Sequence, residues 1–177
     1  IRQMQLTGEI RESEAQYRLL AENMVDVIWV LDLTTGRFTY VSPSVKELRG
    51  YSPEEVLAQP MTDAMTPDSL QMINESLPTR IGEFLAGDPA AVSQTHEIEQ
   101  PCKDGSTIWT EVVTTILQDE AGTLRILGVT RDISERRNAE AELREREEWI
   151  RLSMDASGLG KWRYNIAEGI IRFDERG

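Results

Sequence analysis

The apolar positions of the chain follow two periods, a helical one at its ends and a period of two through most of its middle, and the switches between them predict its elements. Ile10, Tyr17, Leu20, Ala21 and Met24 recur at helical spacing, so residues Ile10 to Met24 form an amphipathic helix, with Ser13 and Gln16 as an alternative capped start. Val27 to Asp32 is a short continuous apolar run. The turn residues Leu33, Thr34, Thr35 and Gly36 follow it, and Arg37 to Val41 then returns as the second strand of an antiparallel hairpin.

The next segment pairs a hydroxyl residue with proline at Ser42-Pro43, at Ser52-Pro53-Glu54-Glu55 and at Thr66-Pro67-Asp68. Proline at a first helical position loses no intrahelical hydrogen bond, and the hydroxyl before it can accept from the free amides, so each pair predicts a helix start. The last of these helices would carry Leu70, Ile73 and Leu77 on one face and break or kink at Pro78. It would resume through Ile81, Phe84 and Leu85 as far as Gly87-Asp88-Pro89.

From Ser93 the period of two dominates. Thr95 to Pro101, Thr107 to Gln118 and Thr123 to Thr130 read as a meander of strands, with turns at Asp104-Gly105 and at Asp119-Glu120-Ala121-Gly122. The middle strand places Ile108, Val112 and Ile116 on one side and Trp109, Val113 and Leu117 on the other, so both faces of the sheet need cover. The short helices can cover one face. The N-terminal amphipathic helix, or the same face of a second copy, is left for the other.

The last strand then runs without a loop into a charged helical segment, Gly128-Val129-Thr130-Arg131-Asp132-Ile133-Ser134-Glu135-Arg136-Arg137. Asp132 has the chemistry of a helix N-cap and Glu135 completes a capping-box pattern, so the helix is expected to start at Ile133. A shift of the sheet would tilt or rotate a helix joined to it in this way. Further on, Ala139, Leu143 and Ile150 stand near heptad spacing, interrupted by Arg146, as in two-helix linkers.

This exit segment, with the hairpin Lys103-Asp104-Gly105-Ser106, Trp109 and Glu111 before it, resembles the C-terminal half of a PAS domain, its PAC motif. Asp132-Ile133-Ser134 resembles the Asp-Ile-Thr exit signature, with a serine that keeps the hydroxyl. The resemblance covers Glu12 to Arg137 and implies an α+β PAS fold: a five-stranded antiparallel sheet in spatial order 2-1-5-4-3, short helices on one face, and signalling helices flanking it at both termini. It also implies an upstream linker helix at 1–11, a PAS domain with its PAC motif at 12–135 and a signalling linker helix at 133–152. The segment from Leu152 to Trp162 resembles the leading helix and first strands of another such domain, so 153–177 is expected to be the truncated start of a second one.

Composition narrows the function. A chain of 177 residues with 40% apolar content can bury one ordinary core and part of another. A net charge of −12 argues against a nucleic-acid surface, which needs clustered cations. A lone cysteine, Cys102, excludes an intramolecular disulfide framework and fits a reducing compartment, and no apolar run approaches the roughly 18 residues of a membrane span. The expected location is cytoplasmic without direct membrane insertion, in a parent protein that could be anchored elsewhere.

No nucleophile with its base, no P-loop and no helical histidine in a phosphoacceptor context is visible, so this stretch is expected to be non-catalytic. The resemblance implies a sensory module of a bacterial signalling protein of the sensor histidine kinase type, within a two-component phosphorelay. It places an input site between the proline-containing helix and the sheet, with Trp29, Val41, Ile73, Leu77, Phe84, Ile98 and Val113 as wall residues for a small apolar ligand. Output would pass through Asp132, Ile133, Ser134 and Glu135. Trp109, Met61, Met65 and Met72 are further wall candidates.

His96 is the candidate haem ligand if it faces an open apolar pocket. A noncovalent flavin is also compatible with the fold class. Covalent flavin photochemistry is not, because Cys102 stands at a strand end and not in an Asn-Cys motif on a central helix. No cofactor and no metal is assigned. Glu97 and Glu99 share a strand face, and with no nucleophile near them in sequence they read as surface charge. The expected partners are a second copy, through the flanking helices and the outer sheet face, and a downstream kinase or other output domain. A ligand-free dimerisation or spacer module is the alternative.

Overall fold

The computed structural model describes residues 24–157, 162–165 and 170–173. The linker helix expected at 1–11, and the N-terminal amphipathic helix up to residue 23, lie outside the described residues. The chain divides into two compact units, Ile1–Ser134 and Glu135–Gly177.

In the first unit a hairpin of β1 (Val27–Asp32) and β2 (Arg37–Val41) leads into the helices α1 (Val45–Arg49) and α2 (Pro53–Ala58), a 3-10 turn at Met61–Ala64 and the long helix α3 (Pro67–Leu85). A 3-10 turn at Pro89–Ala91 then opens the meander of β3 (Ser93–Pro101), β4 (Thr107–Gln118) and β5 (Leu124–Asp132). All neighbouring strands pair antiparallel in the order β2-β1-β5-β4-β3, the order the resemblance implied. The second unit holds the helix α4 (Ser134–Ser157), whose first residue stands at the boundary, and an antiparallel pair, β6 (Trp162–Asn165) and β7 (Ile170–Phe173).

Turn chemistry accounts for the hairpins. Asp32 Oδ1 accepts from the amides of Thr34 and Thr35, and Gly36 closes the turn at φ 65°. Between β1 and β2 the register slips, so that Tyr40 faces Val30 while Phe38 faces Leu31. This irregularity at Thr39 reverses the alternation and brings both Val41 and Phe38 to the inner face.

The inner face carries two apolar clusters. One is Val27, Val41, Val45 and Val56, and the other is Leu31, Ile116 and Ile126. Trp29 and Phe38 touch both, ring edge to ring face at 5.5 Å and 84°.

Of the hydroxyl–proline helix starts, the middle one behaves as expected. Ser52 Oγ accepts from Glu55 N while Glu55 accepts from Ser52 N, a complete capping box. Thr66 precedes α3 without a side-chain cap bond. Ser42 starts no helix: its Oγ accepts from Ile28 N and lies 2.8 Å from Ser44 Oγ, which donates to the carbonyl of Asp26. Those two buried hydroxyls stitch the end of β2 to the start of β1, and α1 begins only at Val45.

The expectation at Pro78 is narrowed, and those for β5 and α4 are corrected. Of the two outcomes expected at Pro78, a break or a kink, the break does not occur: α3 continues through it to Leu85, with the proline on the exposed side. The helix does run through Ile81, Phe84 and Leu85 as expected, with Leu85 exposed. Strand β5 runs two residues further than expected, through Asp132, and α4 starts at Ser134, one residue later than Ile133.

Candidate functional site

The helices and the inner face of the sheet enclose a cavity of about 90 Å³. Its wall is drawn from α1, α2, α3, the 3-10 turn at Met61–Ala64 and all five strands. Five of the expected wall residues line it: Trp29, Val41, Ile73, Leu77 and Ile98.

Two do not. Phe84 packs on the Leu31, Ile116 and Ile126 cluster without being part of the cavity wall. Val113 points from the other face of β4 and is 37% exposed, whereas its neighbour Val112 faces the cavity. The period of two allows one of two adjacent valines inside, and pairing with β5 selects Val112. Trp109 lies on the outer face by the same alternation, while Met61 and Met65 line the cavity and Met72 is exposed.

Trp29 dominates the wall, and two residues of β5 position it. Gly128 pairs directly opposite, and a Cβ there would lie 2.1 Å from the indole carbons Cε2 and Cζ2, so only glycine leaves room for the ring. Two residues on, Thr130 Oγ1 accepts from Trp29 Nε1 at 2.8 Å, which satisfies the half-buried indole N–H. A side chain of the cavity wall is thereby tied to the strand that leaves the site.

One end of the wall is polar. Arg80 enters from α3, 5% exposed, and its Nε donates to the carbonyl of Ala91 at 2.9 Å. Its Nη1 donates to Thr114 Oγ1, and its Nη2 to the carbonyls of Val92 and Thr114. Burial lowers the pKa of this guanidinium from its ordinary value.

His96, Gln94, Ser76 and Thr114 line the same cavity. Burial, and then the charge of Arg80, hold the His96 imidazole below its ordinary pKa. A second buried guanidinium, Arg49, donates from Nε to the carbonyl of Pro101, at the other end of β3, and stands 5.3 Å over the ring of Tyr51. Burial lowers its pKa as well.

His96 therefore faces inward, where a haem ligand would have to be. The cavity, however, is smaller than one of about 150 Å³ that holds benzene, so neither a porphyrin nor a flavin ring fits it in this form. Glu97 is exposed, and Glu99 lies on the same outer side of β3, away from the cavity.

At the exit, Ile133 is buried and its N–H donates to the carbonyl of Trp109 on β4 at 3.1 Å. Asp132 Oδ1 accepts from Ser134 N at 2.7 Å, so the carboxylate caps the first turn of α4. Among the described residues the complete capping box is made at Ser52 and Glu55, not at Asp132 and Glu135. Arg131 grips Asp26 with Nε and Nη2, the latter at 2.7 Å, and so holds the end of β5 to the segment before β1. Glu135 is exposed and Ser134 half-buried.

Sequence reasoning missed Arg49, Arg80, Gly128 and Thr130 as parts of the site. Arg80 had a readable signal, since Ile73, Leu77, Arg80 and Phe84 share one helical stripe, and a cation inside an apolar stripe is out of place. Gly128 and Thr130 had none beyond strand alternation, because what makes them matter is an indole 99 to 101 residues earlier in the chain.

The profile of the PAS family, described as PAS fold, matches residues 15–133. A methyl sulfide methyltransferase-associated sensor of Methanosarcina acetivorans is 27% identical over 144 residues, which are 81% of this chain and 14% of that protein. The sensor histidine kinase TmoS of Ectopseudomonas mendocina is 28% identical over 160 residues, 89% of this chain and 16% of the kinase. The chain thus spans less than a fifth of the length of these curated relatives. Among solved structures, the PAS domain of a protein from Colwellia psychrerythraea superposes with a TM-score of 0.55 at 25% identity, covering 71% of this chain and 98% of that one.

Proposed function

The chain belongs to the PAS family, and from that premise we propose that it is the sensory module of a signal-transduction protein of the histidine kinase type, reading a small ligand in the cavity and relaying its presence through β5 to α4. The hydrogen bond from Trp29 to Thr130 carries this reading. A ligand that displaces the indole must break or bend that bond, and Thr130 stands two residues before the capping carboxylate of Asp132. The stretch itself relays and does not catalyse. Its output group lies elsewhere in the parent protein, for which a cytoplasmic phosphorelay kinase is the reading favoured by the similarity to TmoS.

The domain plan of the proposal keeps a PAS core to residue 135, a signalling helix from 133 and a second PAS-like segment after 152. The continuity of β5 into α4 and the antiparallel pair β6–β7 support it. A shift of a few kcal/mol between two settings of α4 is enough to switch a downstream enzyme.

Thr130→Val tests the relay. Hydrogen exchange at the amides of Ile133 and Ser134 should respond to ligand in the native chain and cease to respond in the variant, while binding persists. An unchanged response in the variant would exclude the route through Thr130.

The small cavity favours a second reading, a ligand-free dimerisation or spacer module. The exposed outer-face residues Tyr40, Val113 and Leu117 support pairing with a second copy. Native mass spectrometry of the purified chain separates the two: a retained small molecule supports the sensor, and an empty dimer supports the spacer.

A further inference from the structure

The charges that reach the cavity are all of one sign. They belong to Arg49 and Arg80, the His96 imidazole is a titratable group on the same wall, and no aspartate or glutamate lines it. Arg80 is the more telling of the arginines. It is buried, its hydrogen bonds go to three backbone carbonyls and one hydroxyl, and no carboxylate stands among its partners.

Carbonyl dipoles satisfy the N–H groups of a buried cation but leave its charge uncancelled, and proteins otherwise pair buried charges. A guanidinium has five N–H donors, and the four bonds of Arg80 leave one Nη1 hydrogen uncommitted among the described residues. Arg49 adds a second buried positive charge to the same cavity from near the far end of β3.

The rest of the wall is divided. Gln94, His96 and Thr114 come from facing positions near the start of β3 and on β4, with Ser76 of α3 one turn before Arg80. Trp29, Leu31 and Ile126 supply an apolar wall from β1 and β5. The volume, about 90 Å³, is well below the roughly 150 Å³ that holds the six carbons of benzene, and limits an occupant to one or two carbons beyond its head group.

We propose that this cavity is an anion site: its Arg80, His96 and Gln94 end receives the carboxylate of a short-chain organic acid, and the acid's apolar body lies against Trp29 and Ile126. The assignment rests on the sensory reading above and narrows it to a class of ligand. In a site shielded from water the carboxylate makes charge-assisted hydrogen bonds with the free Arg80 donor and with a protonated His96, and it cancels charge that the fold leaves unpaired. The same charges exclude amines. A neutral molecule of equal shape gains the apolar contact alone.

The test uses the full 177-residue chain with sodium acetate and its neutral isostere, acetamide. His96 is the one histidine of the chain, so its imidazole NMR signal identifies itself. Burial and Arg80 hold its pKa down in the empty site, and a carboxylate bound beside it must raise it. Saturating acetate is therefore expected to shift the His96 titration upward and acetamide to leave it in place, with Arg80→Gln weakening acetate about tenfold or more.

Equal binding of both compounds, or binding of acetamide alone, would overturn the anion assignment and leave the sensory reading standing. If neither compound perturbs His96 or the Trp29 indole, the assignment falls with the small-ligand reading it rests on. Arg80 also ties α3 to Val92 and Thr114, so Arg80→Gln could unfold. In that event the His96 titration of the unmodified chain decides.

Discussion

Ile116 and Leu117 are neighbours on β4, equally apolar, and 1% and 45% exposed. The contrast extends across the sheet. The inner face buries polar groups alongside its apolar ones: Thr110 donates to the carbonyl of Ile98, Gln100 to the carbonyl of Ala64, and Thr130 accepts from Trp29. The outer face leaves Tyr40, Val113 and Leu117 open. Polarity does not separate the two faces. What separates them is whether each group finds a partner: on the inner face the helices cover carbon by contact, while neighbouring strands and the Met61–Ala64 turn supply hydrogen bonds for oxygen and nitrogen.

The largest way to break this comparison is at the buried neighbour. Ile116→Ala should cost about 2–5 kcal/mol, read from urea unfolding, since it empties a fully packed position. Gly128→Ala adds a methyl to the inner face and not a void. Its Cβ meets the Trp29 indole, so a loss of about 1–3 kcal/mol is expected, and Trp29→Leu in the same chain should recover part of it. Thr130→Val keeps the shape and removes the acceptor for the indole N–H, for about 1–3 kcal/mol and a shifted Trp29 indole resonance.

On the outer face, Leu117→Ala should move the unfolding free energy of the monomer by no more than about 0.5 kcal/mol. A larger loss that grows with protein concentration would mean that a second copy covers this face.

The mildest effect is one of pH. The folded protein holds His96 below the ordinary 6.5, so the unfolded chain binds the proton more readily. Stability present above pH 6.5 should decline as the pH falls through that value toward the folded pKa, and His96→Gln should flatten this part of the profile.

The PAS fold was legible because most of its signals are local. β1, β2 and β4 have the bounds their patterns predict, while β3 starts two residues earlier and β5 starts one residue and ends two residues later. The site was legible in part. Strand and helix periodicity placed Trp29, Val41, Ile73, Leu77 and Ile98 on the wall, and the same reasoning misassigned Val113 and Phe84, since periodicity states which residues share a face and not which one the helices cover.

By itself the sequence determined the order of elements, the turns at Gly36, Gly105 and Gly122 and the capping box at Ser52 and Glu55. Each of these depends on backbone angles and hydrogen bonds within a few consecutive residues, so the residues that specify it are adjacent. Only the tertiary structure decided that the slip at Thr39 turns Phe38 inward, that Gly128 and Thr130 position Trp29, and that Arg80 brings an uncancelled charge into a cavity of about 90 Å³. Those outcomes come from packing, where atoms far apart in the chain compete for one volume, and the partner that makes each residue matter is absent from its local sequence.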